Sequence, residues 1–132
     1  MPNWCDNSVT LRHDDKSKID ALDAEMSKKN EKGYSMATPF EHLHPRPPEE
    51  EENWYNWNCE NWGTKWDANI IDWERRDENE IWISFDSAWS PPIALYDYLT
   101  EEGWEVDAIY LEQGCAFGGL YTSEFGDDYY EY

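Results

Sequence analysis

Four tryptophans fall within fifteen residues at Asn53–Asp67, which reads NWYNWNCENWGTKWD. An indole ring buries a large apolar area while its N–H asks for an acceptor. Trp54, Trp57, Trp62 and Trp66 beside Asn, Glu and Thr therefore describe a wall that is part core and part polar surface. Two chemistries suit such a wall. In the first, Trp62, Lys65, Trp66 and Asp67 converge with Trp89 on one aromatic pocket, where Lys65 pairs with Asp67 or stacks on an indole. The plainer version of that cluster is core, with Trp62 to Asp67 locking their segment onto a sheet. In the second, Trp54, Trp57 and Trp62 form a stacking platform and Asn53, Asn56 and Asn58 bond hydroxyls, as a carbohydrate or small-ligand module requires.

The remaining reactive side chains point to little. His42 and His44 with Cys59 or Cys5 match neither a zinc finger nor a helical HExxH, and there is no second cysteine pair. Cys5 or Cys115 with a distant His is an arrangement that any chain of this composition offers. No two carboxylates are singled out by spacing as a glycosidase pair, and Gly118-Gly119 sits in a hairpin context without the helix a phosphate loop requires. With no nucleophile, base and orienter to name together, the expectation is a protein that is not an enzyme, with no catalytic residue, metal or cofactor.

Charge is more informative. Thirty acidic residues against ten basic ones leave a net −20, and Asp77–Tyr132 holds fourteen carboxylates with no Lys or Arg. Direct binding of nucleic-acid phosphates by that half is disfavoured by the sign of its charge. What remains is either a solvated, solubilising surface or a surface meant for a basic groove. Three cysteines at long spacings form no disulfide framework and suit a reducing cytoplasm. The start MPNWCDN lacks a signal pattern, and no apolar run approaches the ~20 residues of a membrane span, so no membrane role is expected.

The elements that must position these residues follow from periodicity. Ser8–His13 alternates as a first strand, and Lys16–Lys29 carries Ile19, Leu22 and Met26 at helical spacing behind an Asp14 or Asp15 cap. Residues 34–66 form a Pro- and Trp-rich insertion with the EEEE run at Glu49–Glu52. Ala68–Arg75 and Glu80–Ser87 read as strands joined by a hairpin. Ser90 with Pro91 and Pro92 starts a second helix that runs to about Glu102 and directs Ile93, Tyr96 and Leu99 at the sheet. Trp104–Leu111 and Phe117–Ser123 are two further strands, and residues 126–132 are an acidic, Tyr-rich tail that orders on binding. With aromatics at 17% of residues and few Leu, Ile or Val, the core is expected to rest on Trp, Tyr and Phe. The order strand, helix, strand, strand, helix, strand predicts one α+β domain over residues 1–132. Its expected form is a ferredoxin-like split βαβ sandwich with a mainly antiparallel sheet, two helices on one face and an extra C-terminal strand. The tryptophan-bearing insertion is then expected to cover the other face.

Met1-Pro-Asn-Trp-Cys5 with Asn7, Trp62-Gly-Thr-Lys-Trp-Asp67, Phe85-Asp-Ser-Ala-Trp-Ser-Pro-Pro92, and Tyr110, Glu112, Gly114, Phe117 and Gly119 together resemble the YubB ferredoxin-like domain family carried by plasmids and phages. The resemblance spans nearly the whole chain and implies the same sheet and a mobile-element origin, without a reaction to carry over. Extreme acidity and the Asp/Tyr-rich tail set this chain apart. The expected function is therefore non-enzymatic: a cytoplasmic protein of the host cell that inhibits a host nucleic-acid-binding defence complex, of the CRISPR effector or restriction type. It would do so by presenting phosphate-like carboxylates to a basic surface. Fourteen carboxylates match about 24 Å of duplex, and a domain of this length is about 36 Å across. The expected contact residues are Glu101, Glu102, Asp127, Asp128 and Glu131, with Tyr129, Tyr130 and Tyr132 as anchors.

Overall fold

Alternating burial along three strands builds the centre of the molecule. β1 (Trp4–Arg12) buries Cys5, Asn7, Val9 and Leu11; β3 (Glu80–Ala88) buries Ile81, Ile83, Phe85 and Ser87; β4 (Glu105–Glu112) buries Val106, Ala108, Tyr110 and Glu112. Successive side chains on a strand point to opposite faces, so these residues define one buried face. The computed structural model describes residues 3–132; Met1 and Pro2 of the N-terminal motif lie outside the described residues. It is an α+β structure with a six-stranded antiparallel sheet and four helices. The sheet also contains β2 (Asn69–Asp77), β5 (Phe117–Thr122) and β6 (Gly126–Glu131), in the order β2-β3-β1-β4-β5-β6. β1 pairs with β3 and with β4, antiparallel to both, so β1 and β2 run parallel with β3 between them.

α1 (Lys16–Met26) begins where the Asp15 carboxylate accepts from the Ser17 N–H, which satisfies one of the donors a helix start leaves unpaired. It ends three residues before the expected Lys29. α4 (Ile93–Glu101) starts after Pro92, and Ser90 does not cap it: the Ser90 hydroxyl donates to the Gly63 carbonyl at 2.7 Å. Ile19, Leu22 and Met26 of α1 and Leu95, Tyr96 and Leu99 of α4 join Val9, Leu11, Ile81, Ile83, Phe85 and Val106 in one core. The same core also holds Phe40, Trp62, Trp104 and Tyr121, so it mixes aromatic with aliphatic side chains and is more aliphatic than the composition led one to expect. Of the nine tryptophans only Trp62 and Trp104 are buried, whereas Trp4, Trp54, Trp66 and Trp89 are exposed.

The insertion also differs from expectation, because it packs on the helical face and not on the opposite one. α2 (Pro39–Leu43) sets the Phe40 ring edge-on to both Phe85 and Trp62, so it reaches the same core as α1 and α4. α3 (Trp54–Asn61) forms within the tryptophan stretch, where no helix was expected. The Trp62 indole donates to the His44 carbonyl, and His44 stacks on Tyr98 of α4 at 3.6 Å. These contacts fold residues 34–66 against the helices. The opposite sheet face stays open to solvent and presents Asp6, Trp82, Asp86, Asp107, Ile109, Leu120 and Asp128.

The tail is a further correction. Residues 126–131 are β6, hydrogen-bonded along β5 from Thr122↔Gly126 to Phe117↔Glu131, and need no partner for order.

Candidate functional site

Two loops interlock at one end of the sheet. Gly63 lies at φ 89°, a left-handed conformation that glycine adopts without strain. A side chain there would also meet the Ile93 nitrogen at 3.1 Å, so the turn rests directly on the start of α4. The Thr64 hydroxyl donates to the Ala88 carbonyl at 2.9 Å and the Leu95 N–H to the Trp62 carbonyl. Across the second loop Asn7 donates to the Ser87 hydroxyl at 2.8 Å, and Ser87 in turn donates to the Ser90 carbonyl. Between them Trp89 sits at φ 67°, a left-handed backbone uncommon for an aromatic residue and maintained by the bonds on either side.

The tryptophan cluster expected from sequence divides here in two. Trp62 turns into the core. Asp67 turns inward as well, accepting from the backbone N–H of Phe40, Glu41 and Ala68 at 3.1, 2.9 and 2.7 Å, which ties the start of α2 to the edge of β2. Burial pushes its carboxyl up to about 6 against the pull of those donors. Lys65 points outward and does not pair with Asp67. Its Nζ lies 4.2 Å from the Trp66 centroid and 4.0 Å from that of Trp89, while Trp4 closes on Trp66 at 6.1 Å. A cation held between two indoles gains from both ring faces.

Beside Trp89 the second wall comes from the C-terminal hairpin. Tyr110 on β4 lies across Gly119 on β5 and donates its hydroxyl to Asp127 Oδ1 on β6 at 2.6 Å. Gly119 is required for this, since a Cβ would fall 2.4 Å from the Tyr110 hydroxyl and 2.5 Å from the Asp128 carbonyl. Burial, then the Asp127 carboxylate, raises the Tyr110 phenol well above its usual range, so it remains a donor. Phe117 and Tyr129 pack with centroids 5.4 Å apart. Together Trp89, Pro91, Ile93, Phe117, Tyr129 and Asp127 line a groove of about 440 Å³ that also touches Tyr110 and Gly63. It joins Trp89 of the aromatic cluster to Asp127 and Tyr129 of the acidic strand, a meeting of segments thirty-eight residues apart that no local signal carries.

The other expected contacts are dispersed. Asp127, Tyr129 and Glu131 share the helical side of β6, while Asp128 and Tyr130 face the open side opposite Leu120 and Gly118. Glu101 and Glu102 lie at the far end of α4, where Glu102 neighbours Tyr98 and His44. Tyr132 is exposed beyond β6, its N–H donating to Ala116. Trp54, Trp57 and Trp62 do not form a platform: Trp57 meets Trp62 at 87°, and Asn58 is buried, donating to the Lys65 carbonyl. Cys5 is buried and its thiol is pushed up to about 12, so it stays protonated.

No family model matches the chain, and no curated protein matches it. Among solved structures it is similar to the protein api92 from Yersinia pseudotuberculosis, of the family DUF1281. The TM-score is 0.61 at 12% identity, covering 100% of this chain and 98% of that one. At that identity the likeness shows the fold alone.

Proposed function

We propose that this chain is a non-enzymatic binding protein that occupies a basic, nucleic-acid-binding surface of a host defence complex. One observation carries the reading. Of the fourteen carboxylates in Asp77–Tyr132, only Glu80 and Glu105 make ion pairs among the described residues, both with Arg12, which leaves twelve without a cation. Buried Glu112 is satisfied by the Gly114 and Cys115 N–H groups, and the others stand on α4, β2, β3, β4 and β6 and their turns. Charges held on rigid elements and left unneutralised attract a partner of opposite sign and raise its association rate. The strand order β2-β3-β1-β4 with α1 and α4 on one face supports a ferredoxin-like split βαβ arrangement extended by β5 and β6. That arrangement and the tryptophan motifs favour membership of the plasmid- and phage-borne YubB family, which is the reason for naming a defence complex as target.

The test is capture with the tagged protein from a host lysate containing CRISPR and restriction complexes. The expected result is a basic nucleic-acid-binding complex retained at low salt, released at moderate salt and competed by DNA or RNA. A variant with Asp127→Asn, Asp128→Asn, Glu101→Gln and Glu102→Gln is expected to lose it. Capture that is indifferent to salt and to these substitutions would remove the proposal.

A further inference from the structure

Diffuse charge alone does not require a shaped site, yet the groove between the Trp89 loop and β6 is shaped. Its lining residues include one carboxylate, Asp127, and neither Lys nor Arg. Tyr110 holds Asp127 Oδ1, which orients the carboxylate, and Oδ2 has no hydrogen-bond partner among the described residues. Around it stand the rings of Trp89, Phe117 and Tyr129, with Trp89 and Tyr129 about half exposed at 48% and 50%. Trp89 already carries a cation on its ring in the form of Lys65 at 4.0 Å.

We propose that this groove receives an arginine side chain of the basic partner, its guanidinium stacked on the groove's aromatic rings and paired with Asp127. The proposal rests on the reading of the chain as a binder of basic surfaces and names the place where that contact is specific. Arginine fits better than lysine because its planar fork stacks on aromatic faces and meets a fixed carboxylate through paired N–H groups, and because it is weakly hydrated. At about 440 Å³ the groove exceeds one side chain, so the residues flanking the arginine enter with it.

The probe is a capped Gly-Arg-Arg-Gly peptide, titrated into the full chain at low salt while the Trp89 indole N–H resonance is followed, with a citrulline version as the neutral isostere. Asp127→Asn keeps an oxygen for Tyr110 and removes only the charge; Asp128→Asn removes an equal charge from the opposite side of the same strand. Loss of a charge-assisted contact is expected to weaken the arginine peptide about tenfold in Asp127→Asn, with less than about a twofold effect in Asp128→Asn. Trp89→Asn, which suits the left-handed backbone and is followed through the Gly119 amide resonance in place of the missing indole, is expected to weaken it as well, and the citrulline peptide is expected not to bind. Equal weakening by the two aspartate variants, or binding of the citrulline peptide, would overturn the groove assignment while leaving the broader charge-driven function standing. Absence of any arginine-peptide binding would also overturn it. Conversely, Asp127-dependent peptide binding together with failed, salt-indifferent capture from lysate would retain the groove and remove the defence-complex reading.

Discussion

Asp67 carries a structural role out of proportion to its size. One carboxylate accepts three backbone N–H groups and thereby fastens the start of α2 to the edge of β2, but it does so at a site where burial raises its pKa to about 6. A folded-state value above the unfolded one means that the protonated acid is the form the fold prefers. The contribution is therefore complete below about pH 4 and is lost as pH rises through 6, to at most about 3 kcal/mol. Asp67→Asn keeps the volume and an acceptor but cannot titrate. Denaturant unfolding between pH 4 and 7 is expected to show a stability slope in the parent that is flatter in the variant, and parallel curves would assign the slope to other carboxylates. The WGTKWD stretch displayed the importance of these residues in sequence, including their task of locking the insertion to the sheet. It did not display direction: one short loop sends Trp62 and Asp67 inward and Lys65 and Trp66 outward, and only the packed loops decide which.

The elements divide in the same manner into those written in local pattern and those made by packing. β1, β3 and β4 were legible because apolar and polar residues alternate over eight or nine positions with one face buried, and α1 and α4 because their apolar residues recur at helical spacing. α3 was not, since Asn and Trp are indifferent helix formers and the helix is held by Trp57, Asn58 and the neighbouring Trp62. β6 was hidden for a related reason: Gly, Asp and Asp are depleted from strands, so its pairing depends on β5 and on the Tyr110 bridge over Gly119. The bridge gives the hairpin a single weak point. Gly119→Ala is expected to cost about 1–3 kcal/mol in chemical denaturation, since one of the clashing atoms is backbone. Amide exchange is expected to quicken first across β5 and β6 while β1 and β3 stay protected. Uniform loss of protection would mean that the hairpin and the central sheet open as one unit. The groove proposed to take arginine lies on this hairpin, so its binding should weaken with the hairpin's order.

At the scale of the whole molecule the sign of the charge outweighs any single pair. Net −20 on 132 residues repels itself, and the sheet even places Asp6 directly opposite Asp86, whose carboxyl is raised by desolvation and by that neighbour. Screening should relieve this, and moderate salt is expected to raise the melting temperature by about 4 °C for each 1 kcal/mol of repulsion removed. A flat response would mean that bound cations or wide spacing had already relieved it. The same salt that stabilises the fold is expected to weaken the proposed partner contact, so stability and binding should move in opposite directions across one titration.

β6 ends the sheet, and one side of its backbone offers an unpaired row of N–H and C=O groups to any passing strand. The side chains standing guard are Asp127, Asp128 and Glu131, whose negative charge repels a second copy of this chain. Colloidal behaviour is thus tied to net charge. Toward the sequence pI of about 4.2 the net charge of the chain as a whole vanishes, and edge-to-edge aggregation becomes the hazard to avoid in storage and crystallisation.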